Sequence, residues 1–464
     1  VRQRGFQETN TVEITKAISK QSICLKNKKT ALQDFISAFK LTTLNRHGPV
    51  VIDFPSDIQR EITKINYNKI LKFNTTKIKK ETYSKITLNK FNKINKLISK
   101  AKKPVLLLGQ GAIHIKNKKI LNNLIKQNNF LVVTSLLGIG AYDTSRENYL
   151  GYIGHTGHYA ANHAVYSCDL LLVLGSRLDL RQTGTEVNDF VQNGKIIWID
   201  IDKDELNNPR IKTFLNLNSS IDSFLKNYQR INKKNIYDNI WKENILSIKK
   251  MNKEDEGKFK SKLLKPKYVL KEVSKLIKLS KKNINVVTGV GNHQQWAARH
   301  LFFKPITSTL LTSGGHGTMG YDIPTSIGAA MTNPKNIIVC IVGDGSLLMN
   351  IQELASIKER NLNIKIIVLN NNRLGIVSQF QNITFGTDPS TGKFQTPYFY
   401  KIARAFGIDS ALIKSDNIND FKKKLIKNWY NEKPFLFEVI IDNKANVDPM
   451  LLSGQKLNNM WTGN

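Results

Sequence analysis

Two residues with the chemistry of metal ligands stand at the ends of the stretch GDGSLLMNIQELASIKERNLNIKIIVLNNN, Gly343 to Asn372. They are Asp344 in a glycine frame and Asn371 in an asparagine cluster. A carboxylate and an amide carbonyl are hard oxygen donors. Gly343 and Gly345 keep the turn free of side chains, so a diphosphate can approach the backbone. Ser346 adds a hydroxyl near a helix start, where unpaired amides favour anions. A carboxylate beside a diphosphate repels it unless a cation lies between. Mg2+, which takes six oxygens in an octahedron, supplies that bridge. A plainer reading has Asp344 capping a helix and the asparagines forming a turn. It suits a lone GDG, but here strand, GDGS, helix, strand and NN come together.

The elements that must position these groups follow from hydrophobic pattern. Ile337 to Val342 reads as a buried strand, and Ile364 to Leu369 as the next. Leu347, Ile351, Leu354 and Ala355 are expected to make one apolar helical stripe between them. In such a strand–helix–strand unit Asp344 and Asn371 both lie just past the carboxyl ends of parallel strands, where ligands bind. The same alternation runs through most of the chain. PVLLLGQGA, FLVVTSLLG, DLLLVLGS and KIIWIDID form one set from Lys103 onward. INVVTG, a helix over Gln294–His300, NIIVCIV, IKIIVLN and PFLFEVIID form a second. Continuous apolar runs separated by helices predict an α/β fold with two doubly wound parallel sheets. An earlier strand, PVVIDF at 49–54, belongs to the end of a preceding domain. The predicted organisation is 1–60 for that remnant, 85–228 for a central domain, 262–445 for a C-terminal domain and 446–464 for a tail. Lys- and Asn-rich stretches at 61–90 and 226–265 read as linkers.

The formal charge of +34 raises nucleic-acid binding. The lysines, however, are spread through Asn- and Ile-rich segments and are not gathered with Arg and aromatics into one recognition element. No nucleic-acid partner is therefore expected, although acidic ligands are favoured. No apolar run approaches a membrane span, so no membrane partner is expected. Cys24, Cys168 and Cys340 have neither metal nor disulfide spacing, which fits a reducing cytoplasm. Val1 opens inside what reads as folded sequence, so an upstream segment is expected.

GDGS followed by NN resembles the thiamine diphosphate signature. VGNHQQWAAR, LLTSGGHGTMGYDIPTSIGA, GDGSLLMNIQELAS, VLNNNRLGIVSQFQ, FQET and GPVVIDFPSD narrow the resemblance to the acetolactate synthase (acetohydroxyacid synthase) large subunit. It implies that Asp344, Asn371 and the Arg373 backbone carbonyl hold Mg2+. Val290, Gly291, Asn292 and His293 would line the diphosphate. Gly317 and Met319 would meet the aminopyrimidine, with Met319 and Met349 bending the cofactor; without the resemblance, both methionines could equally fill core. Gln7 and Phe380 would face substrate. The central domain resembles a flavin-binding one, which implies a structural FAD near Arg46, Gly109, Gly111, Arg177, Asp179 and Arg181. GQGA alone is a weak glycine motif.

The implied activity is condensation of two pyruvates to 2-acetolactate with loss of CO2, in branched-chain amino-acid synthesis. The implied assembly is a homodimer or tetramer with a small regulatory subunit. Departures from the family pattern are Asn292 for Gln, Ser56 for Lys, Leu180 for a second Asp, Asn218 for an adenine-side Asp, and Phe380 for Trp. The tryptophan favours 2-oxobutyrate, so Phe380 implies a weaker preference for it. GSRLDLRQTG also resembles synthase-like proteins of surface-glycan synthesis, which leaves a carboligase or decarboxylase for another 2-oxo acid, or an inactive cofactor-binding paralogue, as alternatives. The glutamate that activates the cofactor in this family is expected upstream of Val1, so cofactor binding is expected of this chain and turnover depends on that glutamate.

Overall fold

The computed structural model describes residues 5–6, 8–61, 88–207, 210–228, 237–251, 254, 260–387 and 394–463. Most of the expected linker at 61–90, and part of that at 226–265, lies outside the described residues. So does Gln7. The chain divides into two compact units.

The smaller unit takes in residues 1–86 with 201–206 and 218–220. In it, β1 (Gln21–Cys24) pairs in parallel with β2 (Val50–Asp53). The helix Ala31–Leu41 connects them. PVVIDF is therefore a strand, while β1 was not foreseen: QSIC is short and barely alternates.

The larger unit holds two six-stranded parallel sheets among the described residues. The first is built from β3 (Pro104–Leu108), β4 (Leu131–Thr134), β5 (Tyr149–Tyr152), β6 (Leu170–Leu174), β7 (Lys195–Asp200) and β8 (Leu215–Asn218), in the spatial order β5-β4-β3-β6-β7-β8. The second contains β9 (Ile284–Thr288), β10 (Ser308–Thr312), β11 (Ile337–Gly343), β12 (Ile364–Asn370), β13 (Asp409–Ile413) and β14 (Phe435–Ile440), in the order β10-β9-β11-β12-β14-β13. β3, β4, β6, β12 and most of β11 are buried along their length. A strand covered by helices on both faces needs apolar side chains on both, which is why these runs were legible as unbroken Val, Ile and Leu. The α/β class with two parallel sheets is what the pattern predicts.

Three expectations are corrected. The helix after GDGS is not continuous. It runs Asp344–Met349, stops at Asn350 (φ −139°, ψ 37°), and resumes through a 3-10 turn as Leu354–Glu359. The break resets the helical phase, so Leu347, Leu354 and Ile357 are buried while Ala355 is exposed. The helix Asn239–Met251, inside the expected second linker, is packed: Ile245 is buried and the Trp241 indole N–H donates to Ser167 Oγ at 2.9 Å. The final segment is not a loose tail either. Met450 and Trp461 form an antiparallel bridge, and Met450, Leu451, Leu457 and Met460 are buried. Lysines and asparagines on the outer faces hid these packed stripes from a compositional reading.

Candidate active site

In a sheet ordered β10-β9-β11, the chain leaves β9 toward one side and β11 toward the other. A crevice opens between the two strand ends. The turns that follow β9 and β11 line it, and the turn after β12 closes its side. A cavity of about 430 Å3, counted with its open mouth, lies there. Val290, Gly291, Asn292, His293 and Met319 line it from one side. Gly343, Asp344, Gly345, Ser346, Asn371 and Arg373 line it from the other. Most of the residues expected to hold a diphosphate and a cation are thus brought together. Trp296, Leu374, Ile376 and Val377 also line it and were not foreseen; the only signal was that they sit within a few residues of motif positions.

Asp344 is 2% exposed. Its Oδ1 accepts the Gly345 amide at 2.8 Å and its Oδ2 the Arg373 amide at 3.2 Å. These donors do not offset the loss of water: burial pushes the carboxyl up to about 6. A buried acid in this state lacks a countercharge. Asn371 is also buried. Two further buried polar atoms in the crevice wall, Asn292 Oδ1 and His293 Nε2, have no hydrogen-bond partner. Burial pushes His293 down to about 3, so its ring is neutral. Orphaned buried polar atoms around an undercompensated carboxylate fit a site made for a polar, metal-bridged ligand. Among the described residues no group of three His, Cys, Asp or Glu could hold a metal by itself. One carboxylate with amide and main-chain carbonyls suits Mg2+, which keeps waters and takes phosphate oxygens for the rest.

Glycines shape this edge by admitting side chains. A Cβ on Gly343 would stand 2.9 Å from His293 Nδ1, and one on Gly289 would stand 2.1 Å from Asp322 Oδ2. Asp322, fully buried, was missed by the sequence reading. Its Oδ2 accepts the Ser346 hydroxyl at 2.6 Å and lies 3.8 Å from His293 Nε2. Burial raises its carboxyl to about 6. The Ser346 oxygen in turn accepts the Gly320 amide at 2.9 Å. The Ser346 hydroxyl is therefore engaged within the protein. The only sequence signal of Asp322 is an acidic residue at the start of an otherwise uncharged helix, DIPTSIGAAMT.

Other expected residues do not themselves line this cavity. At Gly317, φ +81°, an added Cβ would meet only Val290, at 4.0 Å. Met349 is 58% exposed and does not line the cavity. Phe380 packs edge-on against His155, with ring centroids 5.1 Å apart. Burial and the neighbouring Arg181 and Arg299 push His155 down to about 4.

At the first sheet, Gly109 and Gly111 pack backbone to backbone on Gly175: a Cβ on Gly109 would stand 2.0 Å from the Gly175 carbonyl oxygen. Asp179 caps the turn Leu180–Thr183 by accepting the Arg181 amide, and also accepts from Gln182 Nε2. Arg177 is exposed and Arg181 half-buried. Within the smaller unit, Arg46 pairs with Asp202 at 2.6 Å and Glu205 at 2.8 Å.

Comparison with known proteins agrees with the crevice. The C-terminal, thiamine pyrophosphate-binding domain of thiamine pyrophosphate enzymes matches residues 289–439, and the central domain of those enzymes matches residues 91–227. The class is thus a thiamine pyrophosphate enzyme. The chain is 32% identical to the chloroplastic acetolactate synthase of Arabidopsis thaliana, over 99% of this chain and 68% of that protein. It is 32% identical to a probable acetolactate synthase large subunit of Methanocaldococcus jannaschii (98% and 77%). It is 31% identical to the acetolactate synthase isozyme 2 large subunit of Escherichia coli K12 (97% and 78%). The chain belongs to the acetolactate synthase large-subunit family.

Proposed function

We propose that this thiamine diphosphate-dependent enzyme uses Mg2+ and condenses two pyruvates to 2-acetolactate with loss of CO2, in the branched-chain amino-acid pathway. The observation that carries the reading is Asp344: a buried, undercompensated carboxylate at the switch point of a sheet whose domain matches thiamine pyrophosphate-binding domains. When bound, thiamine diphosphate supplies an acidic ring carbon and an electron sink for decarboxylation and carbon–carbon bond formation.

The chain's own residues bind and orient. Asp344, Asn371 and the Arg373 carbonyl hold the metal. Val290, Gly291, Asn292 and His293 face the diphosphate, and His293, being neutral, donates without adding charge. Gly343 and Gly345 admit the diphosphate to the main chain, and Ser346 presents its amide while its hydroxyl holds Asp322. Met319 leans over Gly345, its methyl 3.6 Å from where a Cβ would stand, and there shapes the cofactor's bend. Gly317 leaves room for the aminopyrimidine. Phe380 is the residue assigned to the 2-oxo acids.

A structural FAD at the first sheet, near Gly109, Gly111, Arg177, Asp179 and Arg181, is part of the proposal. There Gly109 and Gly111 lie against the Gly175 main chain and Asp179 caps a turn, while Arg46, in the smaller unit, pairs with two carboxylates.

Free, scattered thiols suit a cytoplasmic setting. Among the described residues no helix is long and apolar enough to cross a membrane. A homodimer or tetramer is the assembly proposed. Relatives named as large subunits support a small regulatory partner. The test is acetolactate formation from pyruvate by the full-length protein with thiamine diphosphate and Mg2+; a flat assay overturns the reading.

A further inference from the structure

Glu438 is a charged residue in the middle of β14, FLFEVI, and it is fully buried. A lone buried carboxylate is costly unless donors surround it. Here both oxygens are used. Oε1 accepts the Asn370 side-chain amide at 2.9 Å, and Oε2 accepts the Tyr400 backbone amide at 2.9 Å. Burial still holds the carboxyl above its ordinary range.

Asn370 ends β12 and directly precedes Asn371. Its side chain spends one amide hydrogen on Glu438 and directs the other to Thr396 Oγ1 at 2.9 Å. Its Oδ1 accepts the Asn372 backbone amide at 3.1 Å. Thr396 passes its own hydroxyl hydrogen to Asn372 Oδ1 at 2.7 Å, and its backbone amide reaches the same oxygen at 3.1 Å. Asn372 is held at φ +51°, in the left-handed region that a side chain makes costly without such support. Arg373 then donates its amide to Asp344. The residues on both sides of Asn371 are thus pinned by groups that do not line the cavity.

We propose that Glu438 and Thr396 are positioning residues for the metal: through Asn370 and Asn372 they set the turn that aims the Asn371 amide and the Arg373 carbonyl at the cation beside Asp344. The inference rests on the reading of Asp344, Asn371 and Arg373 as Mg2+ ligands. Ligand orientation by such outer partners is general in metal sites. Glutamine at 438 keeps the shape but replaces one acceptor by a donor, which must face either the Asn370 amide or the Tyr400 N–H. Valine at 396 keeps the shape and loses the hydroxyl, whereas serine keeps the hydroxyl and loses only a methyl.

Binding of Mn2+, which accepts the same octahedral oxygen set as Mg2+, is measured on the full-length protein with thiamine diphosphate. The readout is loss of the free-ion EPR signal, and no turnover is needed. Expected are about tenfold weaker Mn2+ binding in Glu438→Gln and Thr396→Val, near-native binding in Thr396→Ser, and loss of about a hundredfold or more in Asp344→Ala. If Glu438→Gln and Thr396→Val bind within about twofold of the native protein while Asp344→Ala has lost the ion, the positioning role is overturned and the ligand assignment stands. If Asp344→Ala binds like the native protein, both fall. Should Glu438→Gln not fold, the Thr396→Val and Thr396→Ser pair decides alone: equal weakening in both marks a packing role and overturns the proposal.

Discussion

The two six-stranded sheets present the same kind of edge and treat it in opposite ways. Each has a switch point, between β3 and β6 in the first sheet and between β9 and β11 in the second. Topology alone makes a crevice at both. In the first sheet, glycines let main chain approach main chain. Gly109 and Gly111 lie against Gly175, and a Cβ on Gly138 would stand 2.1 Å from the Leu108 carbonyl oxygen. In the second sheet, glycines open the edge to side chains: Gly289 makes room for Asp322, and Gly343 for His293. The Asp344 carboxyl, raised to about 6, and the neutral His293 then line the crevice, with the Asp322 carboxyl, also raised to about 6, buried behind them. Glycine at a strand end therefore does not by itself mark a ligand site. What its missing Cβ would have touched, backbone or polar side chain, separates a packing device from a binding one.

The comparison breaks most sharply at Asp344. Asp344→Ala removes the only carboxylate among the proposed metal ligands, and several kcal/mol of charge stabilisation with it. Acetolactate formation should fall about a thousandfold while the fold persists, read by steady-state assay beside circular dichroism.

Next comes a pair of alanine substitutions at matching positions. Gly109→Ala drives a methyl into a carbonyl oxygen that cannot move away, so stability should fall by about 3 kcal/mol in denaturant melts. Gly343→Ala meets a side chain that can turn aside; it should cost about 1 kcal/mol but weaken thiamine diphosphate binding, measured by fluorescence titration. Equal stability losses in the two variants would erase the contrast drawn between the sheets.

A smaller effect concerns pH. The Asp322 carboxyl is raised from its ordinary 3.8 to about 6, so between those values the folded protein holds the proton more tightly than the unfolded chain. Its contribution to stability is present in full below about pH 4 and is lost as pH rises through 6, by on the order of 2 to 3 kcal/mol. Asp322→Asn should flatten that part of the stability profile of the ligand-free protein, read as melting temperature against pH. An unchanged slope would place the charge elsewhere.

The mildest test is Phe380→Trp. If Phe380 meets the second substrate, the larger ring should shift competition between pyruvate and 2-oxobutyrate toward 2-oxobutyrate by about tenfold. A native protein that already prefers 2-oxobutyrate strongly would refute the role given to Phe380.

Much of this was legible beforehand for a physical reason. Strands covered on both faces must be apolar throughout, so β3, β4, β6, β11 and β12 announced themselves, and the residues just past two of them had to lie at the sheet edge. Short or half-covered strands such as β1, β5 and β10 carry no such run and were passed over. The helix break at Asn350 was invisible because an apolar spacing looks continuous whether or not the backbone is. Asp322 and Glu438 escaped notice because a charged residue in an apolar element reads as a surface position. Only the fold shows that each is buried against donors.

The sequence by itself determined the α/β class, the thiamine diphosphate signature and the carboxylate and amide at the ends of one strand–helix–strand unit. Those follow from local pattern and from residue types whose chemistry does not depend on neighbours. Tertiary structure decided which side chains gather at the second sheet's edge, which glycines serve packing, and which distant acids hold the asparagine turn and the Ser346 hydroxyl in place. These are contacts between residues far apart in the chain, such as Glu438 with Asn370 or Asp322 with Ser346, and no spacing along the sequence encodes them.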